Sequence, residues 1–441
     1  MEQGVEVLRV INWVEYGKTV LHPIALFLLI IMVYVVLHSD KTFFIIPFII
    51  IAALITHMQR IVLGTFDFSM IRIILIAGVL RILLRNDVNK FEWQKIDTSI
   101  IAYIIVLSLA YVLLRRTSSA LVNRLGLAFE VLLTYFLLRM YVNSFQQIIV
   151  FIRAFSYVFL VIAIFMTIEQ RTQYNIFSIF GGVAERTAMR EGRVRAQGAF
   201  SHPIMAGTFG AAFMPLFWGL YTIGGFKNKA HAILGIISSI VITWASSSSG
   251  PVITLLSSFF GIFMWKMRNY MNTIVKMSVV AIILLDIVMD ARVWHLISRI
   301  DIVGGSTGYH RYLLIDQTIR NFPEWALLGV RTTGHWGWGL NDVTNMFISQ
   351  AVHGGIGSLL LFLIIIWHGF SSVGEAMKEN DSNKMKYKKM FWSWGVVLFA
   401  HCVSFFGVGY FGQMIFFWYL TLGLIACLPM LNDGLSSRNE A

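Results

Sequence analysis

The segment RVRAQGAFSHPIMAGTFG, residues 193–210, sets two arginines, three glycines, a histidine and a proline at the mouth of a long apolar run. Upstream of it stand Arg171, Arg186 and Arg190, so every positive charge between Glu169 and His202 is an arginine and none a lysine. A guanidinium is a planar fork that meets phosphate oxygens in pairs, whereas an ammonium is a point charge. Arg193 and Arg195 are therefore candidates for holding a phosphorylated ligand. The competing reading is a loop that touches lipid headgroups or pairs with Glu169, Glu185 and Glu191. Gly198 suits a left-handed turn, and Pro203 suits the first helical position, where a missing N–H costs nothing. A helix opening at Pro203 would aim unpaired N–H groups and a positive dipole end at an anion. His202 reads as a general base, as a donor to the ligand, or as an ordinary interfacial histidine.

A second polar stretch runs from Asp290 to Asn345. Within it, Tyr309–Asn321 has apolar residues at helical spacing (Leu313, Leu314, Ile319) among Arg311, Asp316 and Arg320, the pattern of an amphipathic helix on a membrane, ended by Pro323. The following GVRTTGHWGWGLNDVTN holds groups able to remove a proton from an attacking hydroxyl: Asp342 first, with His335 before it and His353 after. Asp342 also suits an N-cap, and His353, beside Gly354 and Gly355, also suits a packed helix crossing. Trp336 and Trp338 offer faces for a sugar, or belong to an interfacial aromatic belt.

These segments must be positioned by a membrane. Of 441 residues, 57% are hydrophobic and 13% charged, a balance that a soluble surface does not have. Apolar runs near helix-spanning length recur at 20–38, 43–58, 69–85, 98–114, 123–142, 147–168, 203–223, 231–247, 250–266, 273–290, 346–368, 390–408 and 412–430, about thirteen in all. No strand-type alternation recurs, so the expected fold is all-α and polytopic. Met1–Lys18 reads as an interfacial helix or an ordered tail, without the pattern of a secretory signal. The weakest spans are the short second one and the fifth, which carries Glu130 and Arg139.

The organisation is N-terminal spans (1–168), an arginine-rich loop (169–202), central spans (203–290), a second loop (291–345), and C-terminal spans with a tail (346–441). Lysines collect in 224–231, 266–276 and 378–389, which the span count puts on one face; the positive-inside rule makes that face cytoplasmic and both long loops exterior. By the same count RRTSSALVNR, 115–124, falls outside, against the rule. Arg72, Glu130, Arg139 and Arg153 sit in apolar spans, where they must face protein or water and are expected to pair with each other or to line a cavity. Two cysteines, Cys402 and Cys427, both in spans, leave no disulfide framework or thiolate metal site. No phosphate loop, HExxH or dinucleotide fingerprint occurs, which leaves an ATP-driven pump or zinc protease without a basis. The formal charge of +12 sits largely in turns facing anionic lipid and supports no nucleic-acid partner.

The order RxxGxFxHP before a span, a Ser/Gly-rich re-entry, NFPEWALLGV, then a helix opening near TNMFISQAVHGGIG resembles the O-antigen ligase and O-antigen polymerase superfamily over roughly residues 190–368. The resemblance implies a multi-span glycosyltransferase of GT-C type in a bacterial inner membrane, without metal or cofactor. It would take glycan from an undecaprenyl-diphosphate carrier and join it to an acceptor on the periplasmic side, beside other polysaccharide-assembly proteins. Arg195 and Arg311 match the family positions that hold the diphosphate. Where many members carry SRG, this chain has SSSSGP, with Ser249 in the arginine's place and Arg193 or Arg331 as a compensating cation. Many ligases also carry a histidine before the final motif, where this chain offers Asp342 and Asn345. His202, Asn345 and Trp336 are the expected acceptor or sugar contacts. Repeat-unit polymerisation is the expected activity; transfer to lipid A core, a flippase for lipid-linked oligosaccharide, and an accessory scaffold are the alternatives. A flippase should show two comparable halves, which this sequence lacks.

Overall fold

The structure is a computed structural model that describes residues 18–85, 87–89, 91–299, 308–378 and 385–437, the last six by backbone alone. Met1–Lys18 thus falls, but for Lys18, outside the described residues, as do residues 300–307 of the second loop. The chain is mostly helical: α1 (Pro23–His38), α2 (Ile46–Leu54), α3 (Met70–Arg85), α4 (Lys95–Arg115), α5 (Ser118–Tyr141), α6 (Phe145–Thr172), α7 (Pro203–Ile223), α8 (Phe226–Ala245), α9 (Ser249–Phe263), α10 (Met271–Val288), α11 (Gly308–Arg320), α12 (Phe322–Trp325), α13 (Met346–Ala376), α14 (Met385–Phe405) and α15 (Gln413–Ser437). Two small hairpins accompany them, β1 (Arg60–Leu63) with β2 (Phe66–Ser69) and β3 (Met189–Arg190) with β4 (Arg193–Val194), both antiparallel. A helix stands at each of the expected spans, and among the described residues eight helical segments are long and apolar enough to cross a membrane. This is a multi-pass, all-α membrane protein.

Local sequence explains most helix starts. Ser144 and Gln147 form a capping box at α6, Gln94 and Asp97 another at α4, and the Thr117 hydroxyl accepts the Ala120 N–H at α5. The interior is aromatic, with Phe155, Phe159, Phe209, Phe213 and Phe417 packed at centroid separations of 4.6 Å and upward. Gly207 and Gly210 of α7 let α8 and α9 approach: a Cβ at Gly207 would stand 2.3 Å from Ser246 Oγ, and one at Gly210 2.8 Å from Ile242 Cγ2.

Hydrogen bonds sort the connections onto two faces. On one, Lys41 reaches Asn89, Asn143 reaches Asn89, and Gln147 reaches the Lys41 carbonyl. On the other, Gln59 binds the Phe180 carbonyl, Gln413 binds the carbonyls of Ile55 and Ala199, and Ala196 N–H donates to the Ala245 carbonyl. The α4–α5 turn belongs to this second face, because Arg115 donates to the Arg331 carbonyl at 2.9 Å and Arg331 donates to the Leu114 carbonyl at 3.2 Å. The arginine-rich turn at 115–124 therefore lies with the two long loops, where the span count put it.

Of the charges expected inside the spans, three are in ion pairs and Arg153 meets a neutral amide, and only one pair is internal to the expected set. Arg72 meets Glu130 at 3.2 Å, laid across α5 where a Cβ at Gly126 would stand 3.1 Å from Arg72 Nη2. Arg139 meets Asp97 at 3.1 Å, both side chains at most 1% exposed, with the Tyr135 hydroxyl donating to the same carboxylate. Arg153 takes the Asn228 amide oxygen at 2.8 Å. Asp97 is hidden from a hydropathy reading because it also looks like an ordinary first-turn residue of α4. In a low-dielectric interior such pairs are kept because breaking one strands the other charge.

The second loop is locked into α13. Gly355 breaks that helix with φ 70 and ψ −171, and Ile356 N–H donates to the Ala326 carbonyl at 2.9 Å. Gly329, φ 88, lies against Val352, and Val330 N–H donates to the Val352 carbonyl at 2.8 Å. The NFPEWALLGV and AVHGGIG motifs are thus two halves of one joint. Pro323 does end α11, and it also opens the short α12.

Candidate functional site

Arg195 is placed by a chain of backbone anchors. At the end of α6 the buried Glu169 carboxylate accepts the N–H groups of Gln197 (3.1 Å) and Gly198 (2.8 Å) and the Thr187 hydroxyl (2.9 Å). Gly198 takes φ 57, the left-handed turn its position calls for, and Asn175 donates to its carbonyl at 2.9 Å. Glu169 is thereby spent on backbone and does not neutralise a loop arginine. Replacing Glu169 by Ala would leave three donors unpaired, at about 1–3 kcal/mol each; thermal melts of the purified protein should fall and protease cuts in 186–198 should appear, while Glu169→Gln, which keeps one acceptor oxygen, should lose less.

The Arg195 guanidinium donates through Nη2 to Ser248 Oγ at 2.8 Å, and its Nε is buried without a partner. Ser248 in turn donates to the Ser246 carbonyl at 2.9 Å, so it makes no side-chain cap for α9. In the first turn of α9 a Cβ built on Gly250 would meet nothing within 4 Å among the described residues, while Pro251 is buried. The expected helix mouth at Pro203 is corrected here. His202 Nδ1 accepts the Ile204 N–H at 3.1 Å and so caps α7, whereas α9, which starts beside Arg195, has no side-chain cap. Ser249, where the resemblance expects an arginine, is the first residue of that helix.

Arg311 approaches from the other loop. It is 9% exposed on the inner face of α11 with Leu314 and Thr318, its guanidinium lying 3.6 Å from where a Gly407 Cβ would stand. Its Nε is buried without a partner, and no carboxylate lies within ion-pair distance of Arg311 or Arg195 among the described residues. Burial first, and then the charge of Arg190, push the guanidinium pKa down at both. One residue of the first loop therefore bears on both arginines, which are far apart in sequence. Burial and Arg195 together lower His202 to about 4, so His202 is neutral at neutral pH. With Nδ1 used as the helix cap, its other ring nitrogen carries the proton. His202 is thus a donor and not a base.

The chain was compared with known family models and with curated proteins. It matches none.

The remaining expected residues are dispersed around this cationic centre. Asn345 is buried, 3% exposed: its Oδ1 caps α13 by accepting the Ile348 N–H at 3.1 Å, and its Nδ2 donates to the Phe406 carbonyl, next to the Gly407 that Arg311 touches. Its burial, and not a shortage of donors or acceptors, turns it away from a sugar. Asn345, and not Asp342, is the helix cap, and the Asp342 side chain is exposed on the turn before it. That turn is held against His310, which meets the Gly339 carbonyl at 3.1 Å and Thr344 Oγ1 at 3.4 Å. His310 precedes Arg311 in the chain, so the Asp342 turn and the Arg311 helix are fastened together, a role that nothing in the sequence pattern singled out.

Trp336 is buried, and its indole N–H donates to Glu324 at 2.9 Å, beside His335 Nε2 at 2.7 Å from the same oxygen. Those two bonds, the tryptophan's first, hold the Glu324 carboxyl below the usual range. Trp336 packs with Leu314, Trp325 and Leu340 and offers no open face, whereas Trp338 is 97% exposed. His353 lies on α13 toward α4, its Nδ1 on the Ser349 carbonyl at 2.8 Å and its ring 6.4 Å from Tyr111. It shares no contact with Arg195 or Arg311 among those described. Arg193 lies in β4, two residues before Arg195, with its side chain exposed, and Arg331 is committed to Leu114. Among the described residues no group of His, Cys, Asp and Glu is arranged to hold a metal ion.

Proposed function

We propose that this protein is a glycosyltransferase that uses glycan linked to an undecaprenyl-diphosphate carrier at the loop face of a bacterial inner membrane, and that it polymerises repeat units. The observation that carries the reading is a pair of arginines, buried Arg311 and half-buried Arg195, each with a buried Nε that has no partner and neither with a carboxylate within ion-pair distance among the described residues, Arg195 standing at the start of α9. A buried cation without a counter-charge costs several kcal/mol, and a multiply charged anion offsets that cost. Arginine forks and helix N–H groups are the donors that suit a diphosphate.

In the transfer, the acceptor hydroxyl oxygen attacks the anomeric carbon of the donor. The bond from that carbon to the phosphate oxygen breaks, and the carrier diphosphate leaves with its electron pair. Arg195 and Arg311 stabilise the charge that develops on it, the work that fixed donors do best where water is scarce. The hydroxyl proton passes to the exposed Asp342 carboxylate, on the turn fastened beside Arg311. His202 donates to the ligand or stays a cap, since it is neutral and already protonated on its free nitrogen.

The test is incubation of the purified protein, in chelator, with undecaprenyl-diphosphate oligosaccharide. A ladder of longer glycans with released carrier diphosphate is expected. Transfer only when lipid A core is added would make the protein a ligase. No product with either acceptor overturns the reading.

A further inference from the structure

A second cationic cluster stands on the same face, on the side of α13 that packs against α4. At the tip of the α4–α5 turn, Arg116 takes a left-handed φ of 53, and the chain re-enters as α5. Arg124, two turns into α5, lays its Cζ 3.6 Å from the centroid of the Tyr111 ring on α4, and Arg115 lies 5.2 Å from the same ring. The Nε atoms of both are buried without a partner. Arg331 reaches into the turn from the second loop, and His353 lies across the Tyr111 ring from α13. Among the described residues none of Arg115, Arg116, Arg124 and Arg331 has a carboxylate within ion-pair distance.

Two of these arginines have a structural use: Arg115 and Arg331 strap the end of α4 to the second loop through each other's neighbouring carbonyls. Those bonds need one guanidinium edge and leave the charge uncompensated. Arg124 makes no such strap. Two guanidiniums against one tyrosine repel each other, and a ring contributes only about 0.5–2 kcal/mol of attraction to each. The arrangement is stable when an anion sits between them. It stands at the ends of two helices long and apolar enough to cross a membrane, on the face that carries the second loop.

We infer that Tyr111, Arg115 and Arg124 form a second phosphate site, which holds the diphosphate of a carrier lipid whose glycan is the acceptor. The inference rests on the proposed transfer and deepens it. A polymerase joins two carrier-linked chains and must hold two diphosphates at once. The first site, at Arg195 and Arg311, adjoins the Gly407 link; the second lies on α4, α5 and His353. His353 is seven residues into α13 from Met346, about 10 Å along the helix axis, and Asn345, just before Met346, reaches the Phe406 carbonyl beside Gly407, so α13 links the two sites.

The experiment counts undecaprenyl diphosphate molecules bound per chain in detergent, by equilibrium binding and native mass measurement. Two are expected for the unaltered protein, one for Arg115→Met with Arg124→Met, and one for Arg195→Met with Arg311→Met. Arg124→Lys, which keeps the charge and the fold, should weaken only the second lipid, by about tenfold. A single lipid that vanishes in the Arg195 and Arg311 variant overturns the second site and leaves the first intact. Two lipids that persist in that variant overturn the proposed donor site instead. Competition by phosphatidylglycerol or inorganic diphosphate as strong as by the carrier lipid overturns the assignment to a carrier.

Discussion

Arg311→Met is expected to abolish transfer and, in the same protein, to raise the melting temperature. The guanidinium is 9% exposed, carries a buried unpartnered Nε, and has no carboxylate in reach among the described residues. Its burial therefore works against folding, and an unbranched apolar side chain of similar length should recover about 1–3 kcal/mol. An ordinary structural ion pair would behave in the opposite way, since removing one partner strands the other. Arg311→Lys separates charge from geometry: a lysine keeps the charge and loses the fork, and the rate of transfer should fall by about a hundredfold, the usual effect of losing one well-placed donor. Arg195→Lys should do the same and also release Ser248 Oγ. The double variant should lose less than the product of the two, because in the proposed transfer both arginines act on one diphosphate. Initial rates of carrier-diphosphate release, measured beside thermal melts, check all of these. Rates within threefold of the parent for both lysine variants would mean that the loop arginines serve only as surface charge.

Gly355→Ala is expected to be the most damaging small change to the fold. The residue lies at φ 70 and ψ −171, a region closed to other residues, and an added Cβ would stand 2.4 Å from the Leu327 carbonyl oxygen and 2.9 Å from that of Ala326. Both obstacles are backbone, so neither can swing aside. Gly329→Ala meets the Val352 carbonyl at 2.3 Å with φ 88 and should be equally harmful. Strain of about 1–3 kcal/mol adds to the clash, and the loop-two segment that carries the Asp342 turn should part from α13. Melts and protease sensitivity of residues 326–345 give the readout. Gly374→Ala is the control, on the same helix, exposed and with nothing within 4 Å of the added carbon; it should be neutral or stabilising by up to about 1 kcal/mol. If Gly355→Ala behaves like Gly374→Ala, the joint between the loop and the helix does not hold the site.

The sequence by itself determined the class of the protein and the position of its helices. Apolar length is a local property, averaged along the chain, and the bilayer admits few answers to it. The left-handed turn at Gly198 and the helical start at Pro203 were legible for the same reason, because they follow from the residue's own backbone limits. So was the placement of the arginine turn at 115–124 on the face of the second loop, which follows from counting spans.

What the tertiary structure alone decided is who meets whom. Glu169 was legible as a neighbour for the loop arginines, yet folding turns its carboxylate onto the backbone of Gln197 and Gly198. Asp342 read as a cap for α13, and the folded chain gives that cap to Asn345, whose amide also reaches the Phe406 carbonyl. Arg139 found Asp97 in place of Glu130, and Trp336 found Glu324. His202 caps α7, and α9 is the helix that starts beside Arg195 without a side-chain cap. Each of these choices is a contest between side chains of similar chemistry, settled by distances between segments far apart in the chain. Local pattern carries no record of those distances, because they arise only when the helices pack.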